Sequence, residues 1–67
     1  MIRVIKASRS VSYRVYEIDE DGDEIDCLKV FRDKDKAIDF ADKYDELTHV
    51  VMFDPADEYT EVIWSKE

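Results

Sequence analysis

Hydrophobic and polar residues alternate along SVSYRVYEID, Ser10 to Asp19, and again along IDCLKVF, Ile25 to Phe31. Both segments are rich in β-branched and aromatic side chains, so each reads as a strand. Asp21-Gly22 lies between them, and Asp-Gly favours a two-residue type I′ hairpin turn whose central positions both need positive φ. That turn sets Ile18 opposite Ile25, Tyr16 opposite Cys27, Val15 opposite Leu28 and Tyr13 opposite Val30. The pleat then gathers Val11, Tyr13, Val15, Leu28 and Val30 on one face, the expected core. The other face carries Tyr16, Ile18, Ile25, Cys27 and Phe31 beside Arg14 and Lys29. So apolar a second face needs a cover, and a homodimer partner or a further strand is expected to supply it.

After the hairpin the period changes. In DKDKAIDFADKYDEL, Asp33 to Leu47, the residues Ala37, Ile38, Phe40, Ala41, Tyr44 and Leu47 form a stripe at helical spacing, and Asp33 is a suitable N-cap. THVVMF and EYTEVIW read as two more strands, joined by DPADE around Pro55. The leading MIRVIKA is also strand-like. The pattern predicts one α+β domain over residues 1–67, an antiparallel β-sheet with one α-helix on one face in the order β-β-α-β-β, with room for an extra N-terminal strand.

Size and charge narrow the function classes. A chain of 67 residues buries only about 60% of the surface its unfolded form exposes, so self-association is a natural source of added stability. Cys27 is the single cysteine, which rules out an internal disulfide and fits a reducing cytoplasm. No apolar run is long enough for a membrane-spanning helix. Arg3, Lys6, Arg9 and Arg14 give residues 1–16 a charge of +4, while residues 17–67 hold all eighteen acids and six bases, −12, for a net of −8. A field of that sign disfavours nucleic acid and anionic membranes as direct partners and attracts basic protein surfaces.

The densest acid lies in EIDEDGDEID, Glu17 to Asp26, with seven carboxylates in ten residues. Aligned on an EF-hand loop with Gly22 sixth, Glu17, Asp19 and Asp21 take ligand positions, but Leu28 stands where the bidentate glutamate belongs. The expected hairpin also sets Glu20 against Asp23, Asp19 against Glu24 and Glu17 against Asp26, and like charges directly opposite are destabilising. A surface selected for negative charge explains such an arrangement, as does selection for solubility. On the helix, Asp35, Asp39, Asp42 and Glu46 recur at spacings of four, three and four, which aligns them in one row. Asp45 and, from the second hairpin, Asp54, Asp57 and Glu58 extend the acidic set.

Other chemistry is sparse. His49 has no neighbouring His or Cys and reads as a packed or half-exposed histidine. Cys27 reads as a small packed hydrophobe, and Tyr59 and Trp64 as core or interface. No Gly-rich stretch could cradle a phosphate, and a paired-carboxylate mechanism needs a cleft that so short a chain has little room for. The expectation is a non-enzymatic protein with no cofactor and no metal.

The run YRVYEIDEDGDEIDCLKVFRDKDKAIDFADKY, followed by a hairpin ending EVIW, resembles small phage proteins in which a hairpin leads to a phenylalanine, an AI.FA helix and a second hairpin. It covers residues 12–64 and implies fold. The acidic composition resembles small phage-encoded DNA-mimic inhibitors. That likeness implies a protein of the host cytoplasm that occupies the DNA-binding surface of a nucleoid protein, a nuclease or part of the transcription machinery. The residues expected to meet that basic partner are Asp19, Asp21, Asp23 and Glu24 at the hairpin tip with Asp35, Asp39, Asp42 and Glu46 on the helix. The alternative expectation is a structural or regulatory oligomerisation module that acts through the apolar sheet face.

Overall fold

In the computed structural model, which describes residues 11–66, the chain forms β1 (Ser12–Ile18), β2 (Glu24–Phe31), α1 (Lys34–Lys43), β3 (Thr48–Asp54) and β4 (Tyr59–Ser65). The fold is α+β in the order the hydrophobic pattern predicts. The extra strand expected over Met1 to Ala7 lies outside the described residues. The four strands form one sheet in the order β2-β1-β3-β4. Because β2 and β3 each pair antiparallel with β1, they run parallel to one another. A crossover helix is the usual way to join two such strands, and α1 supplies it on one face of the sheet. The helix therefore runs along β1, and its C-terminus arrives beside the β1–β2 turn.

The helix starts where the sequence says it should. Asp33 is extended (φ −111, ψ 120) and its carboxylate accepts from the backbone N–H groups of Asp35 and Lys36, which satisfies two otherwise unpaired donors. Ala37 and Ala41 are fully buried; their small side chains, one turn apart, let the helix lie close over Val15 and Val50, the fully buried centre of the sheet. Tyr13, Leu28, Ile38, Phe40, Ile63 and Trp64 close the rim of this core. Thr48, also fully buried, donates its hydroxyl to the Ala41 carbonyl at 2.8 Å. That bond pairs one of the carbonyls left open at the helix end. The helix stops at Lys43, one turn before the expected Leu47, because Tyr44 is extended (φ −70, ψ 147). The Leu47 carbonyl accepts from Ile18 N–H at 3.0 Å, and this bond requires an extended path into β3.

The hairpin register holds in the middle and shifts at both ends. Tyr16 faces Cys27 and Glu17 faces Asp26 as expected, but Tyr13 faces Phe31, Val15 faces Lys29 and Ile18 faces Glu24. Irregularities between Val15 and Tyr16 and between Glu17 and Ile18 each leave one extra β2 residue, Leu28 and Ile25, as in a β-bulge. Each bulge reverses the alternation of the β2 residues beyond it. Phe31 and Lys29 thus lie on the helix side, whereas Val30 is 53% exposed on the other face, a correction to the expected core. The turn differs as well. Among described non-glycine residues only Glu58 has positive φ, and Gly22 has φ 88, so Asp21-Gly22 is not a type I′ pair. The Asp19 carbonyl accepts from Gly22 N–H and the Asp23 carbonyl from Asp19 N–H, both at 3.0 Å. Glu20, Asp21 and Gly22 form a three-residue loop that closes on glycine in the left-handed region.

Pro55 introduces the second turn. The Asp54 carboxylate accepts from Ala56 N–H at 3.0 Å, and Glu58 closes the turn with φ 51. A non-glycine residue in that region is strained by roughly 1 kcal/mol. Glu58→Gly is expected to raise stability by about 0.5–1 kcal/mol, read from the urea midpoint; an unchanged or lower midpoint would mean that the glutamate is held there by contacts worth more than its strain.

Candidate acidic interface

The direction of the helix brings two acidic segments to one end of the molecule. Ile18, the last residue of β1, is bonded to Leu47 just past the helix, and the Tyr44 hydroxyl reaches the Glu17 carboxylate at 3.5 Å. Glu17 and Asp26 are paired across β1 and β2 on the helix side of the sheet. Tyr44 lies between this pair and Glu46. Its hydroxyl pKa is raised above the ordinary 10.0, first by partial desolvation, then by the charge and hydrogen bond of Glu17, then by the charges of Glu46 and Asp26. The raised value marks a convergence of carboxylates from three segments.

The sign of this linkage is fixed. A phenol held neutral in the folded state contributes stability that is complete below the unfolded pKa and lost as pH rises through the folded one. Stability is therefore expected to fall above pH 10, and Tyr44→Phe should lessen that fall. Tyrosinate absorbance followed against pH should show a late-titrating population that shrinks in Tyr44→Phe. Tyr59, raised by its bond and proximity to Glu61, should remain in it. If Tyr44→Phe removes its amplitude from the early part of the curve and leaves the late-titrating population intact, the convergence is refuted.

At the hairpin tip, Asp19 is a structural residue as well as a charge. Its Oδ1 accepts from the backbone N–H groups of Asp21 and Asp23, both at 2.9 Å. This answers part of why the tip is acidic, since a short acceptor at that position organises the turn. One carboxylate oxygen from each of Asp19, Asp21 and Asp23 lies within 4.8 Å of the others. Three carboxylates of this kind suit a hard cation, but calcium takes six to eight oxygen ligands, and Glu17 is turned away toward Tyr44. The like-charge oppositions expected across the turn change partners: Glu24 faces Ile18, Asp19 closes on Asp23 with their carboxylates within 4.8 Å, and Glu17 faces Asp26 as expected. The Asp19 charge is met by two backbone N–H groups, and the Tyr44 hydroxyl stands against Glu17.

The remaining expected site residues divide between locations. Glu24 belongs to the opposite sheet face, where its carboxylate meets His49 Nε2 at 2.9 Å; it is not grouped with the other tip acids. His49 is 8% exposed, with the Tyr16 ring edge-on at 5.9 Å, a packed histidine as expected. On α1, Asp35 stands in the first turn, where the helix dipole favours an acid. Asp39 is bridged by Lys43 at 3.2 Å with both side chains exposed, a pair that weakens the row's field and contributes under about 0.5 kcal/mol. Asp42 is exposed near the helix end, and Glu46 lies beyond the helix in the turn. The helical row thus has three members, and Glu46 joins the Tyr44 cluster instead. Asp54, Asp57 and Glu58 are at the other end of the sheet, because β3 runs away from Glu17. Lys66 also reaches this end, donating to the Tyr44 carbonyl.

Sequence reasoning does not single out Glu17, Asp26 and Tyr44 as a group. The signal is there in part: Tyr44 is one turn after Phe40 on the apolar stripe, and two acids are expected to face one another. Nor does it point to an open groove of about 740 Å3 between β2 and α1. Phe31, Phe40 and Tyr44 line it, and the Lys29 ammonium lies 5.4 Å from the Phe31 ring centre and 5.9 Å from that of Phe40. Cys27, expected to be packed, is exposed on the opposite face. Trp64 packs against the core, and Tyr59 is 48% exposed. No helix among the described residues is long and apolar enough to cross a membrane. Comparison of the chain with protein-family models, curated proteins and solved structures gives no match.

Proposed function

We propose that this chain is a non-enzymatic acidic binding protein whose carboxylate-rich end occupies a basic surface on another protein. The observation that supports the reading best is the shared location of two acidic segments: Asp21 and Asp23 at the tip, with Asp42 and Glu46 where the helix finishes, around the Glu17–Asp26 pair. In its sharper form the reading is DNA mimicry, carboxylates standing in for phosphates against the Lys and Arg of a DNA-binding protein such as a nucleoid protein, a nuclease or part of the transcription machinery. The mechanism is competitive occlusion. Long-range attraction speeds encounter, and salt weakens it steeply.

A second reading is an oligomerisation module that acts through the uncovered sheet face, on which Val30 and Val62 are 53% and 51% exposed. A pull-down from bacterial lysate with the tagged full chain, washed at low and then high salt, tests the first reading. Mimicry predicts capture of a DNA-binding protein that high salt releases and added DNA displaces. Capture that neither salt nor DNA disturbs, or capture of proteins without a nucleic-acid surface, would overturn it.

A further inference from the structure

Among the described residues α1 covers one face of the sheet and no helix or strand lies over the other, where Val51 and His49 are buried among their neighbours while Val30 and Val62 are half exposed. The ladder pairings assign the open face: Arg14 and Tyr16 from β1, Cys27 and Val30 from β2, Val51 and Phe53 from β3. Val62 of β4, opposite Val51, completes it. In a chain that carries ten bases and eighteen acids, the described residues give this face one guanidinium, Arg14, and one carboxylate, Glu24. Both are tied down. The Arg14 guanidinium lies 4.5 Å over the Phe53 ring, and Glu24 is bonded to His49.

We propose that this open face is the contact surface between two copies of the chain, packed sheet against sheet. Charge selects that occupant. Two molecules of net charge −8 repel over most of their surfaces, and the carboxylate-rich end cannot meet its own copy without stacking acids; the helix side carries a mixed set of Lys and Asp side chains that stay solvated. On the open face each copy brings one charge of each sign, so a two-fold pairing is neutral and self-complementary. Area sets the strength. Four strands of this length, at about 3.3 Å per residue and about 4.8 Å between strands, give a footprint of roughly 450–500 Å2 per copy. The pair buries roughly 900–1,000 Å2, below the ~1,200 Å2 of a standard stable interface. An interface of that size fits a reversible dimer better than an obligate one. Packing by this face leaves the helix and the acidic end of both copies outward, so it holds whether or not the proposed function is right.

Cys27 reports on the face directly, because it is the single cysteine and is exposed there. The test is the rate of thiol alkylation of the full chain from submicromolar to submillimolar concentration, alongside sedimentation equilibrium. The expected result is a monomer–dimer transition and a labelling rate that falls about tenfold as the dimer fraction reaches nine-tenths, by mass action. Val62→Lys, at a half-exposed edge position, should abolish both effects while retaining the circular dichroism of the parent; Thr60→Lys on the same strand serves if it does not. A fast rate at every concentration would mean a bare face. A slow rate at every concentration in a chain that sediments as a monomer would mean that the face is covered within the chain itself. A dimer whose formation leaves the rate unchanged would place the contact elsewhere. Each of these three outcomes overturns the proposal.

Discussion

Val15→Ala is expected to lower the stability of the fold by about 2–3 kcal/mol. Val15 is fully buried on the central strand β1, opposite Val50 and beneath Ala37 and Ala41. Two methyl groups are lost, a transfer term of about 1.6 kcal/mol at ~0.8 per carbon. The space they leave adds the rest, because the surroundings are poorly able to fill it: the helix presents only alanines there, and the strands on both sides are fixed by backbone pairing. The loss is large relative to the whole. A domain of this length has a stability of roughly 3–10 kcal/mol at the usual ~0.05–0.15 per residue. Urea denaturation at submicromolar protein should show a midpoint lowered by about 2–3 M at an unchanged slope near 1 kcal/mol/M. Val62→Ala, on the exposed edge, should stay within about 0.5 kcal/mol under the same conditions. Equal effects of the two substitutions would contradict a core centred between α1 and the sheet.

That core is legible in the sequence because it depends on types and periods that are local. Asp33 before a stripe of Ala37, Ile38, Phe40 and Ala41 specifies where a helix starts and which side it buries. The change from alternation to helical spacing and back specifies the order of elements. Side-chain direction along β2 is not legible beyond Asp26 and Cys27. Strict alternation puts Val30 inside and Phe31 outside, and the bulge at Leu28 reverses this. A bulge carries no clear compositional signal when every nearby residue suits a strand, and each one inverts the face of all residues after it. The energetic reason for this register is visible only in three dimensions. It brings Phe31 to Phe40, ring centres 5.7 Å apart, and leaves the smaller Val30 on the open face.

The acidic site is legible as composition and not as geometry. By composition Asp19 is one more carboxylate for a partner, yet its oxygen is engaged by two backbone N–H groups of its own turn. By position in the chain Glu24 belongs with the tip, yet the bulge at Ile25 carries it to His49 on the other face. The spacing of Glu46 from Asp42 suits a helix, but the chain leaves the helix at Tyr44 to reach β3. No spacing could provide the shared end. It comes from the parallel relation of β2 and β3, which makes the helix run along β1 toward the tip.

Neutralising that end should abolish partner binding, whereas removing the same charge elsewhere should not. Asp21→Asn, Asp23→Asn, Asp42→Asn and Glu46→Gln together change the net charge from −8 to −4, sparing Asp19 and Glu17 because their carboxylates accept structural hydrogen bonds. The comparison variant carries Asp54→Asn, Asp57→Asn, Glu58→Gln and Glu61→Gln, also −4, at the opposite end or along β4, and the amides retain the acceptor oxygens used by Ala56 and Tyr59. Close interfacial charge pairs couple by upward of ~1.5 kcal/mol each; with allowance for screening at exposed positions, the loss at the acidic end should be at least about 100-fold in affinity, carried largely by slower association. The comparison variant should lose less than about tenfold, through the weaker long-range field alone. Both should unfold no earlier than the parent, since relief of like-charge repulsion offsets any lost surface contact. Affinity and association rate, measured by surface plasmon resonance against the protein recovered from lysate at two salt concentrations, decide the matter. If the two variants lose binding equally, net charge and not the arrangement of carboxylates governs the interaction. If neither loses it, the contact does not involve this end of the molecule.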